Sequence, residues 1–204
     1  MKETFNFFER KRRTITGGFL IFSLLVILTT HHSWRPDSAV ESLFRWAGIT
    51  LVLAGIAGRV WSTMYIGGKK DNTLVMNGPY SMCRNPLYFF SFLAGLGLCL
   101  SFQNLLLAVL YFIVFSFYYP FVIKSEERRL EMLFGEVFRA YTNRVPSFVP
   151  NVLLFQGGER PPASRPLIMK QLLDGSIFLV FLTVAYLLDR MQEGGILHYL
   201  WRIP

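Results

Sequence analysis

The sequence predicts an all-α integral membrane protein with about five transmembrane helices and a cytoplasmic amphipathic helix after the fourth. Three observations carry this. The chain of 204 residues is 52% hydrophobic and 16% aromatic, with a mean hydropathy of +0.38. Its apolar residues are blocked rather than alternating, in runs near residues 15–30, 43–66, 87–102, 104–123 and 175–190, and a bilayer crossing needs about 17–25 such residues as a helix. The net charge of +8 sits in a few loops, as the positive-inside rule requires. That rule accounts for the charge without nucleic acid, so no nucleic-acid partner is expected.

The elements follow in order. Residues 1–14 carry Lys2, Arg10, Lys11, Arg12 and Arg13 with Phe5, Phe7 and Phe8, a basic arm suited to an anionic membrane surface. The first run is followed by His31-His32-Ser33-Trp34 rather than a small-residue cleavage site, so it reads as an uncleaved anchor. The His31-His32 pair has no third ligand nearby and reads as interfacial, not as a metal site. The next loop has Arg35 as its one formal cation, beside Asp37 and Glu41, which puts the N-terminus inside.

The second run carries Gly48, Ala54, Gly55, Ala57 and Gly58, small residues that let helices approach closely. Arg59 sits deep in it. It faces the bundle interior as a functional charge, or snorkels to the headgroups. The third and fourth runs are joined by Ser101-Phe102-Gln103-Asn104, a link short enough to force an antiparallel hairpin. Pro120 should kink the fourth helix and free a carbonyl. Beyond it, Leu130, Leu133, Phe134, Val137, Phe138 and Tyr141 recur at helical spacing, giving the amphipathic extension, which Gly135 interrupts. The expected domains are the arm at 1–14, a core at 15–150, a linker at 151–174 and a fifth span with an outer tail at 175–204. The two cysteines, Cys83 and Cys99, have neither CxxC nor zinc spacing and read as free thiols.

The most informative stretch is Gly78-Pro79-Tyr80-Ser81-Met82-Cys83-Arg84-Asn85-Pro86-Leu87-Tyr88. It sets a turn and polar side chains at the mouth of an apolar helix. The hairpin returns the chain to the same face at Lys124-Ser125-Glu126-Glu127, so the two polar clusters should be neighbours.

Together, Gly78-Pro79-Tyr80-x-x-x-Arg84-Asn85-Pro86-x-Tyr88 and Glu126-Glu127-x-x-Leu130-x-x-x-Phe134-Gly135-x-x-Phe138-x-x-Tyr141-x-x-x-Val145-Pro146 resemble the isoprenylcysteine carboxyl methyltransferases and the related membrane phospholipid methyltransferases. The resemblance covers roughly residues 50–150. It implies S-adenosylmethionine bound from the cytoplasm, with Asn72, Thr73, Leu74, Val75, Tyr80, Asn85, Pro86, Leu87, Tyr88 and Glu126 at the cofactor. Arg84 is read as a member of that site or as a loop holder that binds carbonyls or Glu126. Tyr80 or Tyr88 against the sulfonium would be worth about 0.5–2 kcal/mol.

The expected acceptor is a lipid or lipidated small molecule, whose apolar part would enter sideways between helices. Methyl transfer from a sulfonium is an in-line displacement that needs alignment and exclusion of water. Arg59 or Lys124 would hold a carboxylate or phosphate acceptor, while Glu127 or Glu126 would take a proton from an amine. No metal is expected. Asn85 stands where the family usually has histidine, and Val122 where the eukaryotic enzymes carry an arginine associated with the prenylated substrate. Two other readings compete: a reductase of the sterol-reductase type using NADPH, and a non-catalytic membrane scaffold.

Overall fold

The computed structural model describes residues 17–18, 21–32, 38–67, 73–158, 165–196 and 201–203. The basic arm at 1–14 and Asn72 lie outside the described residues. Helix α1 covers residues 21–29. The strand β1 follows over Thr30–His32, then α2 (Ala39–Ile66), α3 (Pro79–Met82), α4 (Pro86–Ser101) and α5 (Leu105–Thr142). A single 3₁₀ turn at Val152–Leu154 precedes α6 (Arg165–Glu193) and the strand β2 (Trp201–Ile203).

Helices α2, α5 and α6 are long and apolar enough to cross a membrane, and α4 is a shorter apolar helix. At 1.5 Å per residue α4 extends about 24 Å and α5 about 57 Å, against a hydrocarbon core of about 30 Å. Helix α5 is therefore longer than a crossing needs, and its charged residues begin at Lys124. The expected fourth span and amphipathic helix are one continuous element. Its non-helical break falls at Gly135 (φ 51°, ψ −125°) rather than at Pro120, which sits within helical backbone.

Local signals place the ends. Ser38 caps α2 by accepting from the Glu41 amide at 3.2 Å, and Asn104 caps α5 by accepting from the Leu107 amide at 3.0 Å. Both are side-chain oxygens satisfying orphan first-turn donors. Pro79 and Pro86 each sit in the first turn of a helix, where the missing N–H costs nothing. Helix α6 begins at Arg165, well ahead of the apolar run at 175–190.

Helices α2 and α4 meet backbone to backbone. A Cβ on Gly97 would stand 2.6 Å from the Gly48 carbonyl, and one on Gly55 would stand 2.7 Å from Ala94. Helices α4 and α5 are instead held apart by rings, Phe92 on Phe115 at 4.8 Å and Tyr88 on Tyr119 at 5.6 Å between centroids.

One end of the bundle gathers the C-terminal ends of α1, α4 and α6 with the N-terminal ends of α2 and α5. There Gln192 donates to the Ile27 carbonyl at 3.0 Å, and Gln103 donates to the buried Glu41 at 3.3 Å. Arg45 pairs with Glu41 and, at 3.6 Å, with Asp189. The two short strands pair in parallel at this end, Thr30 with Trp201 and His32 with Ile203. Periodicity gave no sign of them, because three-residue strands form only once the helices bring their flanks together. The polar clusters from residues 78–88 and 124–147 sit at the other end.

Candidate active site

Residues 78–88 form a turn, one helical turn and the start of α4. Gly78 adopts φ 62°, and a Cβ there would strike the Tyr65 ring. Its position is therefore open to glycine alone. The Gly78 amide donates to the Gln156 carbonyl at 2.8 Å, and the Asn151 amide donates to the Met82 carbonyl at 2.9 Å. The Tyr141 hydroxyl donates to the Tyr80 carbonyl at 2.6 Å. The chain after α5 thus straps this segment from outside.

The two clusters expected to be neighbours do meet. Arg84 donates from Nε to Glu127 Oε1 at 2.9 Å and from Nη2 to Oε2 at 3.3 Å. Its Nη1 reaches the Thr142 and Val145 carbonyls at 2.8 and 3.1 Å. Arg84 therefore holds the loop through carbonyls and a glutamate, but the glutamate is Glu127 and not Glu126. Asn85 Nδ2 donates to Glu127 Oε1 at 2.9 Å and to the Ser147 carbonyl at 3.0 Å. The Ser147 hydroxyl adds a bond to the same Oε1 at 3.0 Å. Glu127 thus accepts from three residues and ties α4, α5 and the following loop into one clamp. In the position usually held by histidine, Asn85 serves as a donor, which an amide does as well as an imidazole.

Glu126 is bound differently. Its Oε2 accepts from the Tyr88 hydroxyl at 2.8 Å, and Oε1 accepts nothing among the described residues. The Tyr80 hydroxyl lies close by. It is buried, the residue being 7% exposed, and has no hydrogen-bond partner among the described residues. Burial, and secondarily the Glu126 carboxylate, push its pKa well above the usual phenol value. A buried hydroxyl without a partner costs about 1–3 kcal/mol. The neighbouring Glu126 carboxylate has a second oxygen that could accept from a polar ligand.

The remaining expected residues are spread around this centre. Pro86 is fully buried at the start of α4, and Leu87 is half-buried beside it. Leu74 packs on the cluster formed by Phe138, Tyr141 and Val145, Val75 is half-buried and Thr73 is exposed. Arg59 faces the bundle interior, donating from Nη1 to Ser91 on α4 and from Nη2 to Gln171 on α6 at 3.0 Å. Lys124 is exposed. The sequence reading missed Ser147 and Gln171. Ser147 follows the Val145-Pro146 dipeptide, and Gln171 is a polar residue just ahead of an apolar run, which are the only signals either leaves. Among the described residues, no group of three or more His, Cys, Asp or Glu is placed to hold a metal ion.

One end of the apolar helix bundle is thus capped by the Arg84–Glu127 clamp and the Tyr88–Glu126 pair. The chain belongs to the phospholipid methyltransferase family, whose pattern it matches over residues 43–137. It is 33% identical over 192 residues to the cobalt-zinc-cadmium resistance protein CzcN of Cupriavidus metallidurans, covering 94% of this chain and 88% of that one. It is 35% identical over 151 residues to the nickel-cobalt-cadmium resistance protein NccN of Alcaligenes xylosoxydans xylosoxydans, covering 74% and 70%. It is 32% identical over 81 residues to the protein-S-isoprenylcysteine O-methyltransferase of Schizosaccharomyces pombe, covering 40% and 34%. No solved structure matches the chain significantly.

Proposed function

We propose that this protein transfers a methyl group from S-adenosylmethionine to a lipid or lipidated small acceptor at the cytoplasmic face of a bacterial inner membrane, with its N-terminus inside. The observation that carries this is the partnerless Tyr80 hydroxyl beside Glu126, whose Oε1 accepts no bond among the described residues. The cofactor would supply an electrophilic methyl on a sulfonium, with amine and ribose hydroxyl donors around it. Glu126 Oε1 suits such a donor, and the Tyr80 hydroxyl suits an acceptor or donor of either kind. The Tyr88 ring, fixed by its bond to Glu126 and by contact with Tyr119, offers an aromatic face for a cation. Thr73, Leu74 and Val75 would line the outer side, with Arg84, Asn85, Pro86 and Leu87 beneath.

Glu127 holds the clamp and, in this reading, takes no proton. Its carboxylate already accepts four hydrogen bonds. That favours an acceptor that is already anionic, a carboxylate or phosphate, which needs a cation rather than a base. Arg59, inside the bundle, would hold it, and Lys124 would attract it from outside. The family likeness supports a lipid-type acceptor. The likeness to CzcN and NccN, both named for metal resistance, suggests that the methylated product serves an envelope exposed to divalent cations.

The test is incubation of the purified protein with methyl-labelled S-adenosylmethionine and a total lipid extract, followed by mass spectrometry of labelled species. Labelled lipid that disappears in Glu126→Gln and Tyr88→Phe is the expected result. Binding of NADPH in place of S-adenosylmethionine would favour the reductase reading. Folded protein that binds neither would favour the scaffold.

A further inference from the structure

The segment after α5, residues 145–156, returns toward the spans instead of leaving for solvent. The Phe148 ring lies 5.7 Å from Phe89, 5.9 Å from Phe92 and 5.7 Å from Phe115, between α4 and α5 in their aromatic seam. The Phe155 ring lies 6.3 Å from Trp61 on α2. Both ends of the segment therefore sit at the depth of residues one to two turns inside the apolar helices. Between them, Val149, Val152 and Leu153 point outward, 68%, 70% and 91% exposed.

Five amides of the segment find acceptors within the protein. The Leu154, Phe155 and Gln156 amides donate to Asn151 O, Val152 O and Ser81 Oγ, and the Asn151 and Leu153 amides to Met82 O and Asn151 Oδ1. Pro146 and Pro150 have no N–H. The Pro146 and Ser147 carbonyls accept from the Arg84 amide and from Asn85. Non-helical backbone at membrane depth is tolerated where protein satisfies its polar groups, as it does here for these five amides. The cleft under the turn is lined by Arg144 together with Val149, Val152 and Leu153. It sets an exposed cation at the headgroup level of an apolar tip, the arrangement of an interfacial element on anionic lipid.

We propose that residues 148–155 form a re-entrant wedge whose tip, Val152 and Leu153, is inserted in the lipid leaflet on the active-site side. The wedge is also tied to the site, through Ser147 on Glu127 and Gln156 on Ser81. Docking of the tip therefore sets the height of the Tyr80–Tyr88–Glu126 group above the lipid and keeps Phe148 in the α4–α5 seam. The partner is the bilayer itself, not a second protein.

The test is independent of methyl transfer. A nitroxide is placed at Leu153→Cys in protein reconstituted into phosphatidylethanolamine–phosphatidylglycerol nanodiscs, with Cys83 and Cys99 left in place because both are buried. Phe117→Cys, on the outside of α5 and 73% exposed, is the lipid-facing reference, and Asn143→Cys, exposed at the end of α5, is the aqueous one. The wedge predicts that the Leu153 label loses nickel-chelate collisions and keeps oxygen collisions, as at Phe117. Collisions like those at Asn143, or protection from both reagents as under a protein partner, would overturn it. Should Leu153→Cys fail to fold, Val152→Cys is read in the same way.

Discussion

Arg84 grips Glu127 through both carboxylate oxygens, at 2.9 and 3.3 Å, from opposite sides of the helical hairpin. The two side chains are 15% and 18% exposed, so water screens the pair weakly, and its value is cohesion among α4, α5 and the loop beyond. Removing one partner of a largely buried pair leaves the other uncompensated, at about 2–4 kcal/mol after discounting the residual exposure. Glu127→Gln should therefore lower the unfolding temperature in detergent clearly. Arg84→Lys should not preserve it, because an ammonium cannot span both oxygens. A Glu127→Gln protein with unchanged thermal stability but no transfer activity would instead make Glu127 a proton acceptor.

Tyr80 predicts two effects of opposite sign. Its hydroxyl is buried without a partner among the described residues, so Tyr80→Phe should leave the ligand-free protein as stable as before, or more stable by about 1 kcal/mol. The same substitution should weaken S-adenosylmethionine binding about tenfold, the equivalent of 1.4 kcal/mol. Thermal unfolding without ligand and calorimetry with it separate the two. A loss of stability with unchanged affinity would show that the hydroxyl has a structural partner and no ligand.

The parts of this architecture that were legible in the sequence share a physical cause. Gly48 and Gly55 lie where two backbones touch, and small residues in an apolar run mean little else. The apposition of residues 78–88 with 124–127 followed from topology, because a four-residue link forces a hairpin to return to its starting face. Pairings within the cluster were not legible. Glu126 and Glu127 are adjacent, and which one meets Arg84 depends on helix rotation, which a few tens of degrees decides. The wedge at 145–156 was not legible either. Its Val-Pro dipeptides announce the end of a helix but not the depth to which the chain returns. Nor was the early start of α6 at Arg165, since Lys170, Gln171 and Asp174 interrupt the apolar pattern there.

Cys83 gives a pH dependence. Burial pushes its thiol up to about 12 from an ordinary value of 9.0, against a smaller opposing contribution from the Asn85 backbone. The folded chain therefore keeps the proton between pH 9 and about 12, while the unfolded chain has lost it. The stability this confers is complete below pH 9 and disappears as pH rises toward 12. Tyr80 and Tyr141, also raised by burial, act in the same direction above pH 10. Unfolding temperature should be flat up to about pH 8.5 and then fall, with Cys83→Ala reducing the early part of the fall. In the folded protein at pH 8 only about one Cys83 in ten thousand would be thiolate. Iodoacetamide should then label it only after unfolding, and rapid labelling of the native protein would contradict the burial.

Gly135 isolates a purely conformational requirement. Its dihedrals, φ 51° and ψ −125°, belong to a region open to glycine and strained for other residues, yet a Cβ built on it meets nothing within 4 Å. Gly135→Ala therefore introduces no clash, and any cost comes from the backbone alone, about 1–3 kcal/mol. The chain can avoid that cost by straightening α5, which would draw Phe138 and Tyr141 away from Leu74 and Met76 and break the Tyr141 bond to the Tyr80 carbonyl. Gly135→Ala should thus lower the unfolding temperature and open the 142–158 segment to limited proteolysis. It should also weaken cofactor binding, although Gly135 has no contact with the site. Gly157→Ala, equally open in space and at ordinary φ, should do none of these. If the two variants behaved alike, the bend at Gly135 would not be what holds the strap across residues 78–88.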